Sequence, residues 1–201
     1  MKKNNNIVVY FTIFILLICF FMKKNEYFNG YFNGNVFHTI TENGKAYKYK
    51  VQDRDDKNEA ANKLHKLNFK VIQMINYLHE KDGDNEGVKR LKNRYRHDIL
   101  SELHKGSSNT SYSINKGEKI VVCLRSKDDY SFQDENTVFF VVLHELAHIM
   151  TKSIGHKEEF WDNFRYLLKH CIDIKLYDYQ DFNGKPQPYC GIEITDTPYK
   201  M

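Results

Sequence analysis

Hydrophobic positions along this chain come in three rhythms, and each rhythm predicts a different element. Residues 7–22, IVVYFTIFILLICFFM, are apolar almost throughout, with Thr12 as the polar exception and no charge. At ~1.5 Å per residue such a run spans roughly 24 Å as a helix, a little short of a ~30 Å hydrocarbon core, and flanking lysines can snorkel to close the gap. It predicts an uncleaved single-pass anchor. A cleaved signal peptide is the rival, but bulky Phe20, Phe21 and Met22 stand where a peptidase favours small residues.

Further on, the rhythm is helical. Leu64, Leu67, Val71, Met74, Ile75 and Leu78 recur at three- and four-residue steps and predict a helix over 55–81. After the breaker KDGDNEG, Val88, Leu91, Tyr95, Ile99, Leu100 and Leu103 predict a second helix over about 86–105. Residues 137–151 predict a third, and Phe160, Trp161, Phe164, Leu167 and Leu168 a fourth, reaching about His170. Alternation appears at KAYKYKVQ (45–52) and at Tyr112 and Ile114 among serines. The β-branched run Ile120 to Leu124 reads as a well-buried strand, and GIEIT as a last short one. Between anchor and domain, Tyr-Phe-Asn-Gly occurs twice in tandem, at 27–30 and 31–34. The expected organisation is an anchor at 1–24, a juxtamembrane linker at 25–44 and one domain at 45–201. That domain has a helical part (55–105) and a catalytic part (110–195).

Composition narrows this picture only slightly. The net charge of +4, from 30 basic and 26 acidic residues, is accounted for by Lys2, Lys3, Lys23 and Lys24. The remaining domain is balanced, so overall charge makes no case for a nucleic-acid partner, and the anchor weighs against one. The near symmetry of those lysines leaves membrane orientation open. Lys89, Arg90, Lys92, Arg94 and Arg96 form a basic helix face that could meet phosphates, although a solvated face is the plainer reading. Outside the anchor's Cys19, the cysteines are Cys123, Cys171 and Cys190. An odd number without C-x-x-C spacing argues against a disulfide framework or a cysteine zinc site and leans towards a reducing compartment. The sequon Asn109-Thr110-Ser111 would matter only in a lumenal domain.

The stretch that carries chemistry is VVLHELAHIMTKSIGHKEEFW, 141–161. On a helix, His144 and His148 stand one turn apart on one face, so both imidazoles can reach one metal ion. Glu145 projects about 100° away, badly placed as a ligand but well placed to take a proton from a water at the metal. Two histidines and a glutamate among Val141, Val142, Leu143, Leu146 and Ile149 would be expensive to bury unless a cation satisfied them. The third ligand is less determined. His156 is the first choice, provided the helix ends and Gly155 turns the chain back. Glu158 and Glu159 are rivals and His170 a more distant one. His38, His65, His79, His97 and His104 read as ordinary surface or core histidines.

HELAH followed by Gly-His and then Glu-Glu-Phe-Trp resembles the WLM and SprT-like zinc metallopeptidases, and INKGEKIVVCLR and PYCG resemble a membrane-anchored branch of large DNA viruses. The resemblance covers roughly 112–194. It implies an α+β, zincin-like fold with a small mixed sheet on the HExxH helix. It also implies zinc held by His144, His148 and His156, Glu145 as catalytic base, and Phe160 and Trp161 packed beneath the site. An edge strand, expected at 119–125, would lie antiparallel to a protein or peptide substrate. Seven residues, Ile149 to Gly155, separate the second and third histidines, longer than the family's usual spacing. Tyr189 and Tyr112 are candidate oxyanion donors, although a packed aromatic is the plainer reading of each. A membrane-anchored zinc peptidase is the resulting expectation. A non-catalytic zinc-stabilised membrane or virion scaffold and a DNA-associated protease are the alternatives. Substrate, membrane and oligomeric state are not legible.

Overall fold

Asn43-Gly44, set between two alternating runs, starts the fold. In the computed structural model, which describes residues 34–200, β1 (Asn35–Glu42) and β2 (Lys45–Gln52) pair antiparallel along their whole length. Asn43 and Gly44 take φ of 50° and 75°, the left-handed pair that a two-residue hairpin turn requires. The linker expected at 25–44 is thus a strand from Asn35 onward. The apolar run at 7–22 lies outside the described residues, and among those described no helix is long and apolar enough to cross a membrane.

Helix α1 (Lys57–Asp82) buries the stripe read from its sequence, Leu64 through Leu78. Helix α2 (Glu86–Arg94) is N-capped by Asn85, whose Oδ1 accepts from the amides of Gly87 and Val88 at 2.8 and 3.1 Å. It is shorter than expected. Tyr95 leaves the helix in an extended conformation, and Leu100–Glu102 forms β3. Ile99, Leu100 and Leu103 fit a helical period, but they are buried in and around β3, an internal strand of the sheet. A strand covered on both faces shows a continuous apolar run, which periodicity does not separate from a helix.

Strands β4 (Tyr112–Ile114) and β5 (Lys119–Val122) complete a five-stranded sheet of order β1-β2-β3-β5-β4. The β2–β3 and β3–β5 pairs are parallel, and the outer pairs antiparallel. Tyr49, Val51, Ile120 and Val122 belong to one core with α1, α3 (Glu135–Met150) and α4 (Glu158–Asp173). A small hairpin, β6 (Gln187–Tyr189) and β7 (Ile192–Ile194), ends the chain. The α+β class and mixed sheet match expectation. The edge expected at 119–125 does not: β5 is internal, and among the described residues the edge next to it belongs to β4. The β-branched apolar run Ile120–Val122 suits a strand with neighbours on both sides, whereas serines alternate along β4.

Two covalent or ionic ties cross this framework. Cys123 and Cys190 form a disulfide with Cα atoms 6.1 Å apart, while Cys171 is free and buried. This corrects the reading of the cysteines as unpaired; a bridge between residues 67 apart in sequence leaves no local spacing signal. The second tie is Arg125. Its guanidinium donates to Glu102 Oε1 at 2.7 Å and to both Asp56 oxygens at 2.6 and 2.9 Å, and it stacks on Phe132. Glu102 Oε2 accepts from the Gln52 amide at 2.7 Å. β2, β3, the start of α1 and the segment after β5 therefore meet at one cation. The side chains of Arg125 and Glu102 are 2% and 0% exposed. Arg125→Leu is expected to destabilise the domain by about 3–5 kcal/mol, because Glu102 is left buried without its partner. Urea unfolding of this variant, compared with Arg125→Leu/Glu102→Leu, measures it; the double variant should be the more stable of the two.

Candidate metal centre

Helix α3 starts at Asp134, whose carboxylate accepts from the Thr137 amide at 2.7 Å and its hydroxyl at 2.9 Å. The helix is apolar nearly all round and central to the core, so its polar residues are conspicuous. The one-turn spacing brings the rings of His144 and His148 to 5.0 Å between centroids. The helix ends at Met150, Thr151 is extended, and Gly155 takes φ +80° in the loop that follows. That loop returns His156 to the pair, its ring 5.0 Å from His144 and 4.9 Å from His148. His156 Nε2 and His144 Nε2 are 3.1 Å apart, and one nitrogen from each of the three lies within 4.8 Å of the others.

Nitrogens bound to one tetrahedral ion at ~2.0–2.1 Å stand roughly 3.4 Å apart, so this cluster fits zinc in spacing and in donor type. It also fits in protonation. Burial, then the neighbouring histidines, pushes His144 down to about 3. Burial, then His156, pushes His148 down to about 4. Both imidazoles are therefore neutral at physiological pH, the form that binds a cation. Phe160 lies against all three rings, with centroids 4.9, 4.4 and 4.5 Å away. Trp161 does not share that place. It is half-buried, with its ring 5.7 Å from His156, and lines a cleft beside the site.

The rival ligands are engaged elsewhere. The Glu159 carboxylate accepts from the amides of Lys152 and Ser153 at 2.9 and 3.1 Å and from the Ser153 hydroxyl. Those bonds, that of Lys152 first, hold its carboxyl below the usual range. Glu158 pairs with Arg165, and His170 packs on Tyr166. Of the remaining histidines, His65 bonds Tyr49 in the core, as an ordinary core histidine would.

Lys116, which sequence reasoning did not single out, holds the returning loop from the other side. Its ammonium donates to the carbonyls of Thr151 and Ser153, both at 2.9 Å, and to that of Lys152. It can do so because the β4–β5 turn lies on the end of α3. Asn115, Lys116 and Gly117 all have positive φ, and a Cβ on Gly117 would sit 2.7 Å from Ile149 Cδ1. One cation thus binds the loop's carbonyls while one carboxylate binds its amides. Nothing in the local sequence marks Lys116, because its partners lie 35 to 37 residues away.

Glu145 is 6% exposed and faces β4. Burial pushes its carboxyl up, and hydrogen bonds from the Ser113 side chain and backbone pull it down. The β4 edge, from Ser111 to Ser113, forms one wall of an open groove whose other wall holds His144, Glu145, His148 and His156. Tyr112 lines that groove, half-buried. Tyr189 is 1% exposed, and its hydroxyl bonds Ser111 Oγ at 2.6 Å, which also accepts from the Cys123 amide. Tyr189 therefore braces the wall with its hydroxyl committed.

A His-Glu-x-x-His helix behind an edge strand, completed by a returning histidine, makes a group of three imidazoles that could hold one metal ion. The comparisons supply the family. The WLM domain model matches residues 43–198, and the chain belongs to the WLM family. An uncharacterised protein of Acanthamoeba polyphaga mimivirus is 30% identical over 186 residues, covering 90% of each chain, in keeping with the viral branch. The DNA-dependent metalloprotease WSS1 homolog 2 of Schizosaccharomyces pombe is 30% identical over 146 residues, 65% of this chain; the match spans about half of that relative's length (49%). The crystal structure of a Wss1 mutant from Saccharomyces cerevisiae has a TM-score of 0.46 at 21% identity, covering 63% of this chain and 89% of that one.

Lys116→Ala frees the loop carbonyls and is expected to weaken zinc binding about 10–100-fold, the usual scale for groups that orient metal ligands. Competition with a chromophoric chelator measures it. Unchanged affinity would mean that the loop holds His156 without this clamp.

Proposed function

We propose that this chain is a zinc-dependent, membrane-anchored peptidase. The observation that carries the reading is the convergence of three imidazoles, two of them held neutral, beside a buried carboxylate on the wall of a groove bounded by a free strand edge. His144, His148 and His156 would hold the metal. Bound zinc would supply a Lewis acid that polarises a carbonyl and acidifies water.

The chain's own groups would do the rest. Glu145, its carboxyl raised by burial, accepts the proton of the attacking water and delivers it to the leaving amine. Ser113 orients that carboxylate. The outer edge of β4 offers backbone N–H and C=O groups to an extended peptide, a mode that tolerates many sequences. Tyr112, on that edge and facing the groove, is the better placed of the two tyrosines to donate to an oxyanion. Residues 7–22 would hold the domain at a membrane, and the Cys123–Cys190 disulfide favours its oxidising side.

A DNA-dependent protease is a second reading, and the name of the fission yeast relative supports it. The expectation that nucleic acid is not a partner therefore has no support from the comparisons. The basic face of α2 is a poor footprint: Arg90 bonds the Met150 carbonyl, Lys89 pairs with Glu86, and Lys92 bonds Asn76. A second basic lining lies on the sheet, where Lys48 and Lys119, with Lys50, Arg96, Asp98 and Glu118, border a cavity of about 480 Å³.

Glu145→Gln is expected to lower peptide cleavage by about 10²–10⁴-fold while zinc content is unchanged, and chelation should abolish cleavage in the wild type. Mass-spectrometric assays of an unfolded protein substrate decide this; full activity of Glu145→Gln would remove Glu145 from its role. If the sheet face binds DNA, affinity should fall steeply with salt, and Lys48→Glu/Lys119→Glu should reduce it at least tenfold. Fluorescence anisotropy with a labelled duplex measures both.

A further inference from the structure

The peptidase reading makes no use of the sequon Asn109-Thr110-Ser111, the one Asn-x-Ser/Thr triplet in the sequence. It falls in the loop between β3 and β4, where Asn109 is exposed. The backbone of Asn109 is held on both sides. Its amide donates to Ser107 Oγ at 3.2 Å, and its carbonyl accepts from Lys127 Nζ at 2.8 Å. Its side-chain carboxamide forms no hydrogen bond among the described residues. An exposed, unengaged carboxamide on a fixed loop can carry a bulky group without disturbing the core. The Ser111 hydroxyl, which completes the sequon, bonds Tyr189 and the Cys123 amide in the folded chain. An oligosaccharide would therefore be transferred before those contacts form.

A second feature calls for the same compartment on separate grounds. Cys123 and Cys190 are both buried and are bridged to each other. Such bonds form and persist in the oxidising lumen of the secretory route, which is also where asparagine receives its oligosaccharide. The lysine pairs on either side of residues 7–22 leave the direction of crossing open. The disulfide and the sequon agree on one direction, with the folded domain on the lumenal side. They are also neighbours in space, with Cys190 Sγ 4.0 Å from the Asn109 carbonyl oxygen. Thr110 and Ser111 line the cleft beside His144, whereas Asn109 borders neither the cleft nor the open groove. A branched sugar on Asn109 would thus start at the rim of the cleft and leave the imidazoles uncovered.

We propose that Asn109 is a site of N-linked glycosylation, which requires the domain to fold on the lumenal side of a membrane. This rests on the membrane-anchored reading, and the test separates the two. The full-length chain is expressed in insect cells, and its gel mobility is compared before and after treatment with a peptide N-glycosidase. The untreated chain should run slower by the mass of one oligosaccharide, and peptide mapping after treatment should find residue 109 deamidated. Asn109→Gln should abolish the shift. A second variant reports the side of the membrane without Asn109. Lys45→Thr, added to Asn109→Gln, places a hydroxyl two residues after the exposed Asn43 in the β1–β2 turn and so makes a new sequon there. If Asn43 is modified in that variant while Asn109 stays bare in the wild type, the proposal is overturned and the lumenal placement stands. If neither asparagine is modified in a chain that sediments with membranes, the domain faces the other side, and the proposal falls while the anchor stands. A chain modified at Asn109 but recovered from the medium would support the glycosylation site and overturn the anchor.

Discussion

Everything at this site depends on a third imidazole returning to a helix that has already ended. His144 and His148 come together through helical geometry alone, but His156 is eight residues further on and would point elsewhere had α3 continued. The chain solves this by stopping the helix, turning at Gly155 and fixing the backbone between. Lys116 holds its carbonyls and Glu159 its amides. A loop of seven residues between the second and third histidines can still present the third if both polarities of its backbone are tied down. The carboxylate that most resembled a rival ligand is one of those ties.

The rest of the fold supplies those ties and the setting around them. The β4–β5 turn carries Lys116 to the end of α3 because Gly117 allows close contact with Ile149. The same hairpin makes β4 an edge and places Ser113 against Glu145, so one element holds the loop of a candidate metal ligand, orients the candidate base and presents a strand edge beside them. Behind the sheet, the buried Arg125–Glu102–Asp56 cluster ties β2, β3 and α1 to the segment that follows β5. The disulfide adds the terminal hairpin as a further wall of the cleft. Each of these links joins residues far apart in sequence.

That separation explains which expectations held. The α1 stripe, the hairpin strands at 112–114 and 119–122, the HELAH helix and Phe160 beneath the histidines all follow from local periodicity or from a motif within one or two turns. The errors have a shared cause. Leu100–Glu102 fits a helical period yet is a strand, and 119–122 is internal rather than an edge, because a strand's pairing partners lie outside any local window. Residues 35–42 form a strand rather than a linker, and the Asn43-Gly44 turn is its local signal. The cysteine pair, 67 residues apart, left no such signal.

By itself the amino-acid sequence determined the candidate site: a helix period that aligns two imidazoles, an acid set beside them, and a glycine that permits the return of a third. Those are properties of neighbours along the chain, governed by helix geometry and backbone sterics. The tertiary structure alone decided which carboxylate is tied to the loop's amides and which strand lies at the sheet's edge among the described residues. These outcomes turn on distances between residues that only packing brings together, because hydrogen bonding and burial act through space and not along the chain.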